Sequence, residues 1–332
     1  MNLLNWRVFS VALLLAIAAA MPIQAQDAQS MNEISLGGAT AGRTGGGTIA
    51  GGMTAGLGDG AADATAGPEA AAFDGTYMWV ATQFSDSVTR IRVSDGTVAG
   101  TFAVGKRPVA LLYAGSSIWV ANLLSNTVTK LNPATGAVAG TYTVGDGPGG
   151  LAFDGTNIWV ANRNSNNVTK LSAAGANLGT FPVGKRPLGI AFAGKSIWVA
   201  NNNSDNVTRL SLAGAVLGTY AVGRGPFGVA GQGESVWITN YFGKSVTKLR
   251  ALDGVDLGTF KVGDGASGIV FDGTNLWIVN NGDSTVVKVS PSSGSIVSTY
   301  ATGKGPFAVA FDGNRIWVPN FGSNSVSMTA AN

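Results

Sequence analysis

The sequence predicts an all-β fold, a seven-bladed β-propeller of four-stranded antiparallel blades, and three observations predict it. Seven Trp residues recur at gaps of 40, 40, 39, 39, 40 and 40: Trp79, Trp119, Trp159, Trp198, Trp237, Trp277 and Trp317. Other positions keep step with them. Val follows nine residues later in all seven units, Pro precedes by eleven in six of seven, and Asn follows by three in six of seven. Within each unit, β-favouring runs alternate with turn residues at the spacing of short antiparallel strands. Four strands in a repeat of about 40 residues is propeller arithmetic, since shorter coils would suit a β-helix. Such a small sheet has two apolar faces, and only packing against neighbours on both sides buries them.

The unit from Gly149 to Val183 shows the elements in order. Leu151-Ala152-Phe153 is apolar and ends in Asp154-Gly155, a tight-turn pair. Ile158-Trp159-Val160-Ala161 follows, and Asn162 to Asn167 form a polar loop. Val168-Thr169-Lys170-Leu171 is the third run, closed by Ala174-Gly175, and Gly179 to Val183 is the fourth. The Asn three residues after Trp is expected to be a turn residue bonding local backbone. The repeated base of the third run (Arg90, Lys130, Lys170, Arg209, Lys248, Lys288) is expected to lay its stem over apolar neighbours. Asp74, Asp154, Asp272 and Asp312 precede Gly and read as turn chemistry rather than as an acid pair.

The domain plan is a signal peptide over residues 1–25, a Gly/Ala-rich segment over 26–67 and the propeller over 68–332. Arg7 and the apolar run Val8–Met21, followed by Pro22 and a cleavage site after Ala25, read as an export signal. That run is too short for an ordinary membrane span, so no span is expected after cleavage; the other reading is an uncleaved anchor. The seventh unit stops at Thr329 without a fourth strand, and an open ring leaves unpaired edges. An N-terminal strand in the last blade is therefore expected to close the ring, with residues 48–56 matching the outer-strand pattern. The competing view makes residues 26–67 a flexible linker, because 12 of the 31 residues from 37 to 67 are Gly. Pro319 stands in a strand, which predicts irregular pairing in blade seven.

Composition narrows the function. The chain holds no Cys and no His, which removes thiol nucleophiles, disulfides and the usual zinc and imidazole chemistry. Glu occurs only at 33, 69 and 234. No cofactor and no metal site are expected, and Asn281-Gly282-Asp283-Ser284 lacks the further ligands of a calcium loop. Net charge is +3, from 21 basic and 18 acidic residues, too mild to imply nucleic acid as a partner.

The motifs IWVAN, SNNVTKL and GTFPVG followed by Pro resemble the YVTN-type propeller repeat over roughly residues 68–329. That resemblance implies a seven-bladed ring in a secreted, periplasmic or surface protein, and NHL-like propellers are similar in fold. The units also look like those of streptogramin lyases, whose chemistry relies on His and Glu grouped on one face; nothing here matches those residues. Quinone-dependent dehydrogenase propellers are similar in fold alone.

In blades running outward from the axis, the second-to-third-strand loops share a face with the loops leading to the next blade. Together they carry the candidate ligand-binding residues Lys106, Arg107, Arg163, Lys185, Arg186, Asn202, Arg224, Tyr241, Phe242 and Lys304. Phe227 and Phe307 follow the connecting Pro residues. Departures from the repeat point to blades four and five as the place of an asymmetric site. The expected function is a secreted or periplasmic, non-catalytic scaffold for a protein, peptide or glycan ligand of anionic character. The alternative is a streptogramin lyase-like carbon–oxygen lyase or a hydrolytic propeller, and a third is single-stranded nucleic acid on the basic face.

Overall fold

In a computed structural model describing residues 29–36 and 67–332, the chain forms seven sheets, each a blade. In blade three the order from the axis outward is Pro148–Phe153, Asn157–Asn162, Asn167–Ser172 and Asn177–Pro182. Each inner strand touches the inner strand of the next blade, and the last touches the first, so the blades form a ring. Gly is needed where these strands crowd: a Cβ at Gly150 would lie 2.1 Å from the Leu188 carbonyl oxygen.

The recurring Trp is the centre of each blade, at 0–1% exposure in all seven. Register places Trp159 opposite Lys170, whose Nζ lies 5.0 Å from the ring centroid. That ammonium then donates to the Leu212 carbonyl of blade four at 2.7 Å. Lys130, Lys248, Lys288 and Arg90 repeat the link to Ala173, Pro291, Ala331 and Pro133 of the following blades. The stem covers an apolar neighbour as expected, and the head ties two blades together. Arg209 differs, donating to Ser196 in its own blade. Blade seven carries Met328 in this place, and Arg315 substitutes: it lies 5.8 Å from the Trp317 ring and donates to the Val93 carbonyl of blade one at 2.7 Å.

On the outward side an aromatic of the fourth strand meets the Trp in blades one to six, as Phe181 does Trp159 at 5.7 Å between centroids. Phe181 extends on to Gly214 of the next blade, at φ +90, where a Cβ would lie 2.0 Å from its ring. Glycine there both makes the turn and leaves a seat for the neighbour's ring. The Asp–Gly turns also do more than turn. Asp154 Oδ2 accepts the Trp159 indole N–H at 2.8 Å, and Asp74, Asp272 and Asp312 serve their own Trp residues in the same way.

The Asn after Trp departs from expectation. Asn162 is fully buried in a strand, and its Nδ2 donates to Asn167 Oδ1 at 2.8 Å and Thr169 Oγ1 at 2.9 Å. It joins two strands through side chains instead of capping local backbone. The strand continues one residue past the apolar run, so the amide lies inside the blade.

An N-terminal strand closes the ring, as expected, and the residues are Asn32–Ser35. This strand pairs antiparallel with Ser325–Ala330, Ile34 opposite Val326, at the outer edge of blade seven. Ile34 and Leu36 are buried, at 3% and 1% exposure, and Ile34 packs with Met78, Ile91 and Trp317 across the blade seven–blade one boundary. It also faces Gly96, the seat that an outer-strand ring fills elsewhere. Residues 48–56 lie outside the described residues. Glycine-rich likeness pointed to them, whereas the place requires one apolar side chain aimed at blade one. Upstream, Gln29–Ser30 runs parallel to Tyr300–Ala301 on blade six.

Blade seven is irregular, as Pro319 predicts. Its inner strand is reduced to Ala310–Phe311 and a bridge at Pro306–Asn320, because Pro319 has no N–H to offer between them. Among the described residues no helix is long and apolar enough to cross a membrane.

Ile34→Ala is expected to cost about 2–4 kcal/mol, as for other buried Ile truncations, and to lower the urea midpoint. A midpoint equal to that of the parent would show that closure does not depend on this strand.

Candidate functional site at the channel mouth

Backbone hydrogen bonds fix which loops share a face. Arg163 N–H donates to Gly147, Asn202 N–H to Arg186 and Tyr241 N–H to Gly225, each joining a second-to-third-strand loop to the loop entering the same blade. The two loop kinds therefore lie together at one end of the channel.

Each entering loop offers two adjacent positions with different destinations. The first holds Lys106, Lys185, Arg224 and Lys304, all exposed on the rim. At the second, five blades have Gly67, Gly147, Gly225, Gly265 and Gly305, with φ between 56 and 71. The other two have Arg107 and Arg186 at φ 56 and 53. A non-glycine residue in this left-handed region costs about 1 kcal/mol or more. The fold thus tolerates strain to put two guanidinium groups where glycine is its ordinary choice.

Arg107, Arg163 and Arg186 line a cavity of about 430 Å³ at the channel mouth, within the usual range of small-ligand sites. Glu69, Phe227 and Phe307 share its upper wall. Arg107 Nε donates to Gln83 Oε1 at 2.6 Å, which fixes its orientation. Arg186 Nη1 lies 3.5 Å from Asn202 Oδ1, and Asn202 is anchored on the Pro226 carbonyl at 3.2 Å. Arg163 makes no side-chain hydrogen bond with any other described residue. Burial, and then the nearby charges of Arg186 and Arg107, hold its pKa below the ordinary arginine value.

Glu69 is the acid at the centre. Its Oε2 is shielded from solvent and has no hydrogen-bond partner. Burial pushes its pKa up from 4.5 to about 7, although Arg107 and Arg163 both pull it down. None of the three arginines is close enough to form an ion pair with it; the ion pairs among the described residues lie elsewhere. Arg107 and Arg163 thus face one carboxyl that burial makes a weaker acid than an ordinary glutamate.

Aromatic rings form the other side. Phe227 and Phe307 stack at 6.3 Å and 24°, Tyr241 leans on Phe227 at 5.8 Å, and Phe321 meets Phe307 edge-on at 6.1 Å. The Tyr241 hydroxyl donates to Asn281 Oδ1 at 3.0 Å, so its ring is held in place.

Of the residues expected from sequence, Arg107, Arg163 and Arg186 converge on the cavity, with Asn202 and Tyr241 bracing it. Lys106, Lys185, Arg224 and Lys304 stay on the rim with Phe242, which is 58% exposed. The centre also shifts from blades four and five. Its arginines come from blades two to four, around an acid of blade one. Glu69 was missed as a site residue, although the repeat carried a signal. The residue after Pro, or after Ala266 in blade six, is apolar, Gly or Ser in the other blades (Val109, Gly149, Leu188, Phe227, Ser267, Phe307), and only here is it charged.

The ring and its mouth define a seven-bladed propeller with a concave basic face. Among solved structures, a hydrazine synthase of Kuenenia stuttgartiensis matches it with a TM-score of 0.74 and 20% identity, over 86% of this chain and 99% of that one. A catalytically inactive virginiamycin B lyase from Staphylococcus aureus with quinupristin matches at 0.72 and 17%, over 82% and 97%. A streptogramin B lyase matches at 0.71 and 17%, over 80% and 94%. At such identities the likeness shows the fold alone. No protein-family model matches the sequence, and no curated relative does.

Two outcomes follow from this geometry. Arg186→Gly is expected to raise stability by about 1 kcal/mol, because it relieves the left-handed strain; denaturant melts check it, and a loss of stability would mean the side chain holds the loop. Glu69 sets a slope with pH. Between 4.5 and about 7 the folded chain keeps a proton that the unfolded chain has lost, so stability falls as pH rises through that window. Glu69→Gln removes this contribution, and melting curves across the window should show a flatter profile than the parent.

Proposed function

We propose that the protein is a secreted or periplasmic binding propeller without catalytic activity, holding an anionic peptide, glycan or protein surface on its loop face. The observation that carries this reading is the set of three arginines at the channel mouth without ion-pair partners. A low-dielectric wall behind such charges focuses their field on the opening. Guanidinium groups in this arrangement suit carboxylates, which they grip through paired hydrogen bonds. Arg7, the apolar run Val8–Met21 and the cleavage site expected after Ala25 support the location.

A glycan array and a capture experiment with polyglutamate test this function. Acidic ligands are expected to be retained and neutral ones lost, with binding weakening as salt rises. The triple variant Arg107→Ala, Arg163→Ala, Arg186→Ala should lose about tenfold or more in affinity, since charged hydrogen bonds disappear. The rim triple Lys106→Ala, Lys185→Ala, Lys304→Ala should lose little. Equal losses in both would reduce the effect to general surface charge and refute a site.

A further inference from the structure

The channel below the mouth is lined differently from the mouth itself. One aliphatic side chain per blade forms a belt: Leu111, Leu151, Ile190, Val229, Ile269 and Val309, with Ala71 completing it. Above the belt, the inner strands contribute small residues such as Ala70, Gly150 and Gly189. No Ser, Thr, Asn or Gln lines this cavity. A sugar pushed into it would meet no side-chain hydroxyl or amide to pair with. The charged side chains sit together at the top, and the side chains beneath are apolar or small.

From this polarity we infer that the mouth takes an amphiphilic carboxylate, its anionic head among Arg107, Arg163 and Arg186 and its apolar body directed down the channel. The inference deepens the anion-binding reading and rests on it. Three features of the site support it. The Arg163 side chain has no hydrogen-bonded partner among the described residues and feels Arg186 and Arg107 more strongly than Glu69 and Asp146, so an incoming carboxylate relieves repulsion as well as forming bonds. Glu69 limits the excess charge, which favours a head bearing one negative charge over a dianionic phosphate. Its buried Oε2 has no hydrogen-bond partner, so the protonated carboxyl can donate to a bound carboxylate. Arg107 and Arg163 are the charged groups facing Glu69, and a bound head would compete with it for both. The volume of about 430 Å³ accommodates a short alkyl or single-ring body.

Two sources offer this chemistry, a free organic acid and the C-terminal carboxylate of an apolar peptide. Titration calorimetry on the full chain with octanoate, octanamide, acetate and acetyl-Phe-Leu, as free acid and as amide, covers both. Octanoate is expected to bind about tenfold or more tightly than octanamide, which lacks the charge, and than acetate, which lacks the body. Arg163→Met should weaken octanoate about tenfold, and Arg186→Gly, expected to fold at least as well as the parent, should weaken it in the same direction. Leu151→Asn, at a partly exposed lining position, should weaken octanoate and leave acetate unchanged, whereas the rim variant Arg224→Ala should change neither. A stronger response to acetyl-Phe-Leu free acid than to octanoate, lost on amidation, supports the same head with a peptide as source. Equal binding of octanoate and octanamide, or of octanoate and acetate, would overturn the inference. Polyglutamate bound through the arginines with no response to octanoate would leave the anionic reading standing and end this one.

Discussion

The structure depends on one contact made in six of the seven blades: a buried Trp held between a cation of the third strand and a ring of the fourth. In blade three, Lys170 covers one side of Trp159 and Phe181 the other, and Asp154 satisfies the indole N–H. Both flanking residues then reach across to blade four, the ammonium to a carbonyl and the ring to a glycine seat. A blade is thus completed by its neighbour. Stability in such an array resides in the interfaces, and the last interface has to be made as well as the first. Arg315 and Ile34 make it. They come from opposite ends of the chain and from positions that the repeat does not use for this purpose, yet they reproduce both halves of the link.

The candidate site arises where the repeat is broken at the channel mouth. Five entering loops use glycine in a left-handed turn, and two place arginine there against its backbone preference. Structural economy does not call for this, since glycine serves the same turn five times in the same molecule. Strain kept beside an unpaired guanidinium cluster and an acid of raised pKa is the usual relation between stability and a binding site. The rim lysines show the contrast. They occupy the adjacent position, keep ordinary geometry and point into solvent.

Symmetry also explains why the site is compact. Corresponding positions on seven blades meet around one axis, so single departures in blades one to four become neighbours though they lie far apart in sequence. Glu69, Arg107, Arg163 and Arg186 span over a hundred residues and line one cavity. Phe227 and Phe307 join them from blades five and seven by the same geometry.

Local pattern alone determined the blade count, the strand order and the inward Trp, because each depends on periodicity within forty residues. It also revealed which loops share a face, since alternating strand direction decides that, and it identified the three arginines among the basic loop residues. Closure was legible as a need, but the strand that meets it was not. Asn32–Ser35 has no repeat signature, and its qualification is one side chain fitting a seat opposite Gly96. Nor did pattern separate Arg107 and Arg186 from Lys106 and Lys185. Adjacent residues in a turn point in different directions, and only the left-handed backbone turns one pair toward the axis. Glu69 gained its character in the same way: burial raises its pKa against the pull of Arg107 and Arg163, and only the closed ring brings these together.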